Sequence, residues 1–536
     1  MTTRLDGWKA IARFLDRDVR TAQRWAQSRG LPVRSVAGDG RSVFAQSEEL
    51  RTWLNAGQVP AVNDDSLIAA SSDRAPGLLV LPFEYRGPGG SDHAFIGDAV
   101  SAELLNRLAT APLSALRVIS WTTARLYRES KQRADEIAAQ LGIHYLVEGA
   151  VTDVGSRWII EVRVVDALQD RVLFADCFSC AGTEAMRLLG TIAEAVSGHL
   201  ALHLDGHVVE PFWAKTVDPS AFLAYIRAQQ AITHNWTDAN LRQAIALTSE
   251  AIRLDPNFAP AYALKGTVMH IYGYYFAVKE DSIRDETRAL GIYALQYGPQ
   301  LASTNILDAA VAAYYDCDWD RSEARYAYVL RHVPSDAHAR RNLARVLGFR
   351  ERWDAATQTL SVAQTVDRSR GLLISQAAQL NFRRQYDQAA HLFDLLLKEQ
   401  SDDSGIAYSA IVALGLNVRD KERLQSWLDR CEPALLKQWE PFFAGLIAVA
   451  QDDRRALALA RQQVRDRAQR GAGGYWYNSA LLAGAAGDAD GIVEGLGQAI
   501  EAGEGSMVAE ARIEPVFDCA RQDPRFLAHL KHVNLV

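Results

Sequence analysis

The feature that most constrains this chain's fold is a recurring pattern of small and helix-breaking residues, running from about residue 218 to the C-terminus. In RQAIALTSEAIRLDPNFAPAYALKG, Ala244, Ala251, Ala261, Tyr262 and Gly266 keep helical spacing on either side of Asp255-Pro256. Small residues let two helices pack closely, and the Asp-Pro break ends the first before the second begins. Weaker copies follow, one around Asp318-Trp319-Asp320 with Ala324 and Pro334. Others hold Leu347-Gly348 with Trp353-Asp354-Ala355-Ala356 and Ala363, then Tyr386-Asp387-Gln388-Ala389 with Phe393, then 444–468 and 475–502. One helix pair cannot bury its apolar face alone, so such pairs stack. About seven pairs are expected over 215–536, with PVFDCARQDPRFLAHLKHV as a helix capping an open end.

These repeats resemble the tetratricopeptide (TPR) family. The resemblance implies an α-solenoid whose concave groove takes a protein or peptide partner. The run Tyr272, Tyr274, Tyr275, Phe276 either lines that groove or packs in the core.

The segment 77–206 alternates strands and helices, after a polar linker at 58–76. Leu78 to Phe83 is a short continuous apolar run, as in a buried strand. The helix 94–109 turns Val100, Leu104, Leu105 and Leu108 inward. Strands are expected at 116–120, 144–153, 157–166 and 171–178, with helices at 135–141 and 184–204. This order gives a mixed α/β sheet. LLVLPFEY, HAFIGDAVSAELLNRLA, LRVISWTTA and LGIHYLVEGAVTDVGSRWIIEVRVVDALQDRVLFAD resemble the TolB N-terminal-domain type, a module found beside TPR repeats in bacterial regulators and cyclase-associated proteins. That likeness implies a fold and an interaction or signalling role, not a reaction.

Residues 1–57 read as a winged helix-turn-helix. Trp8, Ile11, Ala12 and Leu15 make one helical stripe. Asp18 caps a second helix, in which Val19, Ala22, Trp25 and Ala26 face in and Arg20, Thr21, Gln23, Arg24 and Gln27 face out. Gly30 and Pro32 end it, and runs at 32–36 and 42–45 flank the hairpin signal Gly38-Asp39-Gly40. Ser47 starts a last helix through Leu54. The stretch GWKAIARFLDRDVRTAQRWAQSRGLPV resembles helix-turn-helix modules of the MerR and excisionase type. That places Arg20, Thr21, Gln23 and Arg24 at base edges in the major groove, with Arg17, Arg34 and Arg41 on phosphates. The segment holds ten Lys and Arg against six Asp and Glu, a net of +4. The chain carries −7, so the remaining residues carry −11. A positive module on an acidic chain is the charge pattern of double-stranded DNA binding.

Composition is that of an ordinary globular chain, 49% hydrophobic and 23% charged. Five cysteines make no disulfide framework, and neither a signal segment nor an apolar run of membrane-spanning length appears, so a cytoplasmic protein without membrane contact is expected. Cys177 and Cys180 with His199, His203 and His207 have some character of a zinc set, but the gap to His199 is long for a finger and no metal is expected. Gly87-Pro88-Gly89-Gly90 lacks a following Lys and reads as a plain loop. No P-loop, G-x-S-x-G or H-E-x-x-H occurs, so neither an enzyme nor a cofactor is expected. The reading is a multidomain, mainly α protein with three modules. It is a DNA-binding transcriptional regulator whose TPR solenoid receives a protein or peptide signal, with a homodimer placing two copies on spaced half-sites. The alternative is a scaffold that binds only proteins.

Overall fold

The computed structural model describes residues 4–14, 19, 33–35, 43–46, 75–88, 90–109, 116–128, 130, 132–155, 157–181, 185–200, 218–276, 280–398, 403–504 and 508–535. It divides into two units, Met1–Val62 and Asn63–Val536.

In the first unit, strand β1 (Arg4–Asp6) leads into helix α1 (Gly7–Phe14). Strands β2 (Arg34–Ser35) and β3 (Val43–Gln46) pair antiparallel, and β1 adds to the other edge of β3, giving the order β1-β3-β2. Arg34 lies opposite Phe44 and Ser35 opposite Val43, within the two runs expected to form a hairpin. Ile11, Ala12 and Ala45 are buried, ringed by Leu5, Trp8, Phe14, Val19, Val33 and Val43. The apolar stripe of the first helix therefore packs on the sheet. The expected second and last helices and the Gly38–Gly40 turn lie outside the described residues.

The second unit begins with the expected mixed sheet. Its strands are β4 (Gly77–Val80), β5 (Glu84–Arg86), β6 (Arg117–Val118), β7 (Tyr145–Asp153), β8 (Arg157–Asp166) and β9 (Arg171–Ala181). The order is β6-β4-β7-β8-β9, with β5 also on β7. Pairs among β4, β5, β6 and β7 are parallel, whereas β7, β8 and β9 form an antiparallel meander. Helices α2 (Phe95–Leu108) and α5 (Ala185–His199) share one core with the sheet, through Val100, Leu104, Leu108, Ile192 and Val196. Short helix α3 (Trp121–Ala124) and helix α4 (Ala134–Leu141) contribute to the other core, with Ala124, Ile137 and Leu141. Gly97 sets how closely α2 approaches, since a Cβ there would stand 2.2 Å from the Phe83 carbonyl oxygen.

The rest is helical. Helices α6 (Pro219–His234) and α7 (Asp238–Leu254) form a hairpin, followed by α8 (Ala259–Phe276) with α9 (Glu280–Tyr297) and α10 (Ala302–Tyr314) with α11 (Trp319–His332). Then come α12 (Ala337–Phe349) with α13 (Trp353–Val366), and α14 (Arg370–Phe382) with α15 (Tyr386–Lys398). Helix α16 (Ser404–Ala413) runs through a π turn at Leu414–Val418 before α17 (Lys421–Leu428). The last pairs are α18 (Pro433–Ala450) with α19 (Arg454–Gln469) and α20 (Tyr475–Ala485) with α21 (Ala489–Glu501), before the end helix α22 (Pro524–His532). Eight hairpins thus stand among the described residues, where about seven were expected. The run is compatible with a TPR-like solenoid.

Two local devices repeat. Asp218, Asp318, Asp336, Asp403, Asp420, Asp453, Asp488 and Asp523 each precede a helix and accept a hydrogen bond from its first-turn N–H groups. The tight turns inside six hairpins each hold a residue with positive φ: Cys317, Glu351, Arg384, Arg419, Asp452 and Gly487, spaced 33 to 35 residues apart. This period is sharper than the sequence repeat, because one of the six is glycine and the others pay a steric cost at the same backbone position.

Contacts between distant parts of the stack differ from the open end expected of a solenoid. Trp319 Nε1 donates to the Val533 carbonyl at 2.9 Å, Asn534 bonds the Cys317 carbonyl, and Arg512 pairs with Glu351. Trp439 Nε1 donates to the Tyr275 carbonyl at 2.6 Å, tying α18 to α8. Phe526, Leu530, Val533 and Leu535 of the end helix region are buried by the same chain, while Leu527 stays exposed.

Candidate functional site: a polar face on the stack and its junction with the sheet

Helix α12 explains the site from sequence upward. AHARRNLARVLGF buries Ala339, Leu343, Val346, Leu347 and Phe349 among its neighbours. The other face carries His338, Arg341, Asn342 and Arg345, at helical neighbour spacing. His338 and Arg345 keep exposed area, while Arg341 and Asn342 are half-buried. Desolvation, with Arg341 and Arg345 close by, pushes the His338 imidazole down to about 4 against the opposing pull of Asp367. His338 is therefore a neutral imidazole at pH 7, and its ring makes no hydrogen bond with any described residue.

Arg345 is held above the ordinary guanidinium value, most strongly by Tyr314, with Tyr275 and Glu510 adding to this against the cost of burial. Tyr274 Oη lies 3.4 Å from Glu510 Oε1. Burial pushes Tyr275 up to about 12 and Tyr274 further, so both phenols stay protonated donors. His270 stacks on Tyr314 at 4.8 Å, with its Nδ1 2.9 Å from Tyr315 Oη, and burial and Arg345 lower it to about 4. Of the aromatic run on α8, Tyr272, Tyr275 and Phe276 are core, with Tyr275 also close to Arg345, and Tyr274 is half-buried beside Glu510. Tyr275 packs against Trp236 and Tyr408, so the chain's own helices cover most of what the sequence offered as a groove surface.

Arg341 links α12 to the sheet. It pairs with Asp367, just past the end of α13, and Asp367 is fully buried. Asp367 Oδ1 also accepts from Ser120 Oγ at 2.9 Å, Thr123 Oγ1 at 3.2 Å and the Ser369 N–H at 3.0 Å, and Oδ2 accepts from Ser369 Oγ at 3.0 Å. The Ser120 N–H donates to the Val366 carbonyl at 2.6 Å, and the Arg368 N–H to Thr123 Oγ1 at 2.7 Å. Arg117 reaches the carbonyls of Ala75, Gly142 and Thr365. Ser120 and Thr123 sit just beyond the C-terminal end of β6, where parallel strands of α/β sheets commonly present ligand groups. Burial alone would raise Asp367, but Arg341 and the Ser369 and Ser120 bonds more than reverse this and hold it below the usual carboxylate range. A second tie is α6, whose Ile226 enters the sheet's own core.

Of the residues read as DNA contacts, Arg34 is described. It stands exposed on β2, opposite Phe44. Arg17, Arg20, Thr21, Gln23, Arg24 and Arg41 lie outside the described residues, as do His203 and His207. Cys177 and Cys180 are three apart on β9 and so point to opposite faces, with Cys177 exposed and Cys180 buried. In the glycine loop, the Pro88 carbonyl accepts from Tyr85 Oη at 3.1 Å and lies 2.8 Å from His93 Nδ1, which fixes the loop on the sheet.

Comparison with known proteins leaves the family open. No family model matches. A protein of Rhizobium meliloti (strain 1021) named "Putative adenylate cyclase 3" is 22% identical over 189 residues, covering 35% of this chain. The chain spans about a third of that relative's length, 32%. This match overturns the expectation that the chain is not an enzyme, because part of it is shared with a protein bearing an enzyme's name. The expectation rested on missing motifs, and a missing motif excludes only the chemistries that the motif describes. Among solved structures, lipoprotein GNA1162 from Neisseria meningitidis aligns with 23% of this chain and 96% of its own at 16% identity, but a TM-score of 0.18 carries no argument. Among the described residues, no helix is long and apolar enough to cross a membrane.

Proposed function

We propose that this chain is a cytoplasmic DNA-binding transcriptional regulator. In this reading an N-terminal winged helix-turn-helix binds double-stranded DNA, a TolB N-terminal-like α/β domain follows, and a TPR solenoid receives the signal from a protein or peptide partner. What supports it most is charge placed beside a hairpin. Residues 1–57 carry +4 on a chain of −7, and β2 and β3 pair next to α1 with Arg34 exposed. Such a hairpin serves as a wing on the phosphate backbone, beside a helix that reads bases. A module this small makes few contacts, so two copies on half-sites about one helical turn apart fit tight binding. The test is selection of DNA from a random pool by the full chain. Recovery of a shared sequence supports the regulator, and recovery of none favours the scaffold reading.

The match with the Rhizobium protein favours a second reading, in which the chain has cyclase-type activity. Incubating the purified full chain with ATP and a divalent cation tests it. Cyclic AMP formation would support that reading, and its absence would leave the likeness as a shared segment alone.

A further inference from the structure

We propose that the turn at residues 235–238, between α6 and α7, is a latch that closes the helical stack on itself by seating on the heads of α16 and α18, and that its release uncovers the aromatic side of α8 at Tyr275. The proposal deepens the receiver half of the regulator reading and rests on it only for its biological use.

In an open solenoid each helix pair touches its neighbours in sequence. The 235–238 turn instead meets elements 167 and 194 residues further along the chain. The Trp236 N–H donates to Asp403 Oδ2 at 3.3 Å, and the Asp238 N–H to Glu432 Oε1 at 3.3 Å. Ser404 Oγ, on α16, donates to Glu432 Oε2 at 2.6 Å and braces that carboxylate. Both acids stand at helix heads. Asp403 caps its own helix α16 with Oδ1, which accepts from the Ile406 N–H at 3.0 Å, and reaches Trp236 with the other oxygen. Glu432 holds the N-cap position of α18, yet its side chain accepts nothing from that helix's first turn. Its two oxygens serve α7 and α16 instead. Asp238 begins α7, where helix geometry gives an N–H no partner, and the Thr237 cap goes to Asn240. Glu432 thus supplies, from the far side of the stack, the acceptor that the α7 head lacks.

The latch also covers something. Trp236 lies against Tyr275, with ring centroids 6.0 Å apart. Gly405, on α16, permits this fit, since a Cβ there would stand 2.8 Å from the Trp236 ring and 3.1 Å from the Tyr275 ring. Tyr275 is buried, while residues 235–238 are each half-buried. Water therefore reaches the rim of the seam and competes for the two N–H groups, which keeps the net strength of each bond modest. The turn joins two helices, so it lifts without breaking a hydrogen bond inside either. Regions held by few buried contacts open before the packed helix pairs do.

The experiment combines hydrogen exchange with hydroxyl-radical footprinting on the full-length protein. In wild type at low urea, the amides of 235–238 should exchange through an opening that precedes that of α20 and α21. Trp236 and Tyr275 should gain radical reactivity in the same urea range, with helicity by circular dichroism unchanged. Glu432→Ala removes both seam bonds of that carboxylate and should speed exchange at 235–238 about tenfold or more, with Tyr275 more reactive. Glu432→Gln keeps an accepting oxygen and should show less of both. Exchange at 235–238 that occurs only together with α20 and α21 would overturn the latch, and this result needs no variant, so a misfolded Glu432→Ala leaves the test intact. Glu432→Ala folded and equal to wild type in both readouts would also overturn it. Faster exchange without a more reactive Tyr275 would overturn the uncovering. The DNA selection above is independent of these readouts. A chain that selects no DNA yet opens first at 235–238 would sink the regulator reading and leave the latch standing, and the converse result would do the reverse.

Discussion

Replacing Asp367 by Ala should open the junction between sheet and stack. Asp367 is fully buried and accepts from Ser120, Thr123, Ser369 and Arg341. The Arg341 side chain keeps 18% of its area exposed. Removing one partner of a buried ion pair typically costs about 3–5 kcal/mol, because the other charge is left without compensation. In Asp367→Asn the loss should be smaller, near the roughly 1–3 kcal/mol of an unsatisfied buried group, since an amide oxygen still accepts from the hydroxyls. A chain of several modules need not unfold in one step, so a global melting curve is a poor gauge. Hydrogen exchange read by mass spectrometry at residues 117–124 is a direct one. At 1.36 kcal/mol per tenfold, Ala should speed exchange there by about two to four orders of magnitude, and Asn by less. The sign with pH also follows. The folded carboxylate lies below its usual value, so its contribution is complete at neutral pH, begins to fall near the unfolded value of about 3.9 and is lost as pH drops through the folded one. Exchange at 117–124 in Asp367→Ala equal to wild type at pH 7 would refute this reasoning.

Other outcomes are expected. Burial raises both Glu504 and Glu514 to about 7, so stability should fall as pH rises from near 4.3, the unfolded value, toward 7. The decline in melting temperature between pH 5 and 8 should be shallower in Glu514→Gln, and an unchanged slope would contradict it. Asp452, at φ 54 in a hairpin turn, should become Gly with little loss or a gain of up to about 1 kcal/mol, whereas Asp452→Val should destabilise, as chemical denaturation would measure. Gly495 lies against the backbone nitrogen of Ala480, where a Cβ would stand 2.9 Å away, so Gly495→Val should cost roughly 1–3 kcal/mol; a melting curve like that of wild type would show that α20 and α21 are not packed this closely.

What the sequence carried and what it hid divide by range. The stripe Trp8, Ile11, Ala12, the meander strands and the first break at Asp255-Pro256 are local patterns, and the corresponding elements stand where they were expected. Strand β1 was missed because Arg4-Leu5-Asp6 has no strand signature of its own and exists through pairing with β3. The 34-residue rhythm was blurred because Glu351, Arg384, Arg419 and Asp452 occupy turn positions where glycine would have marked it. The polar face of α12 left a faint signal, a stripe of His338, Arg341 and Arg345 opposite Leu343 and Leu347. Asp367 left none, since its partners Ser120 and Thr123 lie more than 240 residues away. The exclusion of an enzyme failed for a different reason, that motif searches see only the chemistries they encode.

The measurement that tests the regulator most directly is a titration of selected DNA with wild type and with Arg20→Ala, Arg24→Ala and Arg41→Ala at two salt concentrations. The account predicts a preferred sequence for wild type. Arg20→Ala and Arg24→Ala should each lose roughly 1–3 kcal/mol with preference relaxed at one or two base pairs. Arg41→Ala should bind all sequences more weakly and reduce the salt slope by about one. A wild type without sequence preference, matched by all three variants at both salt concentrations, would contradict it.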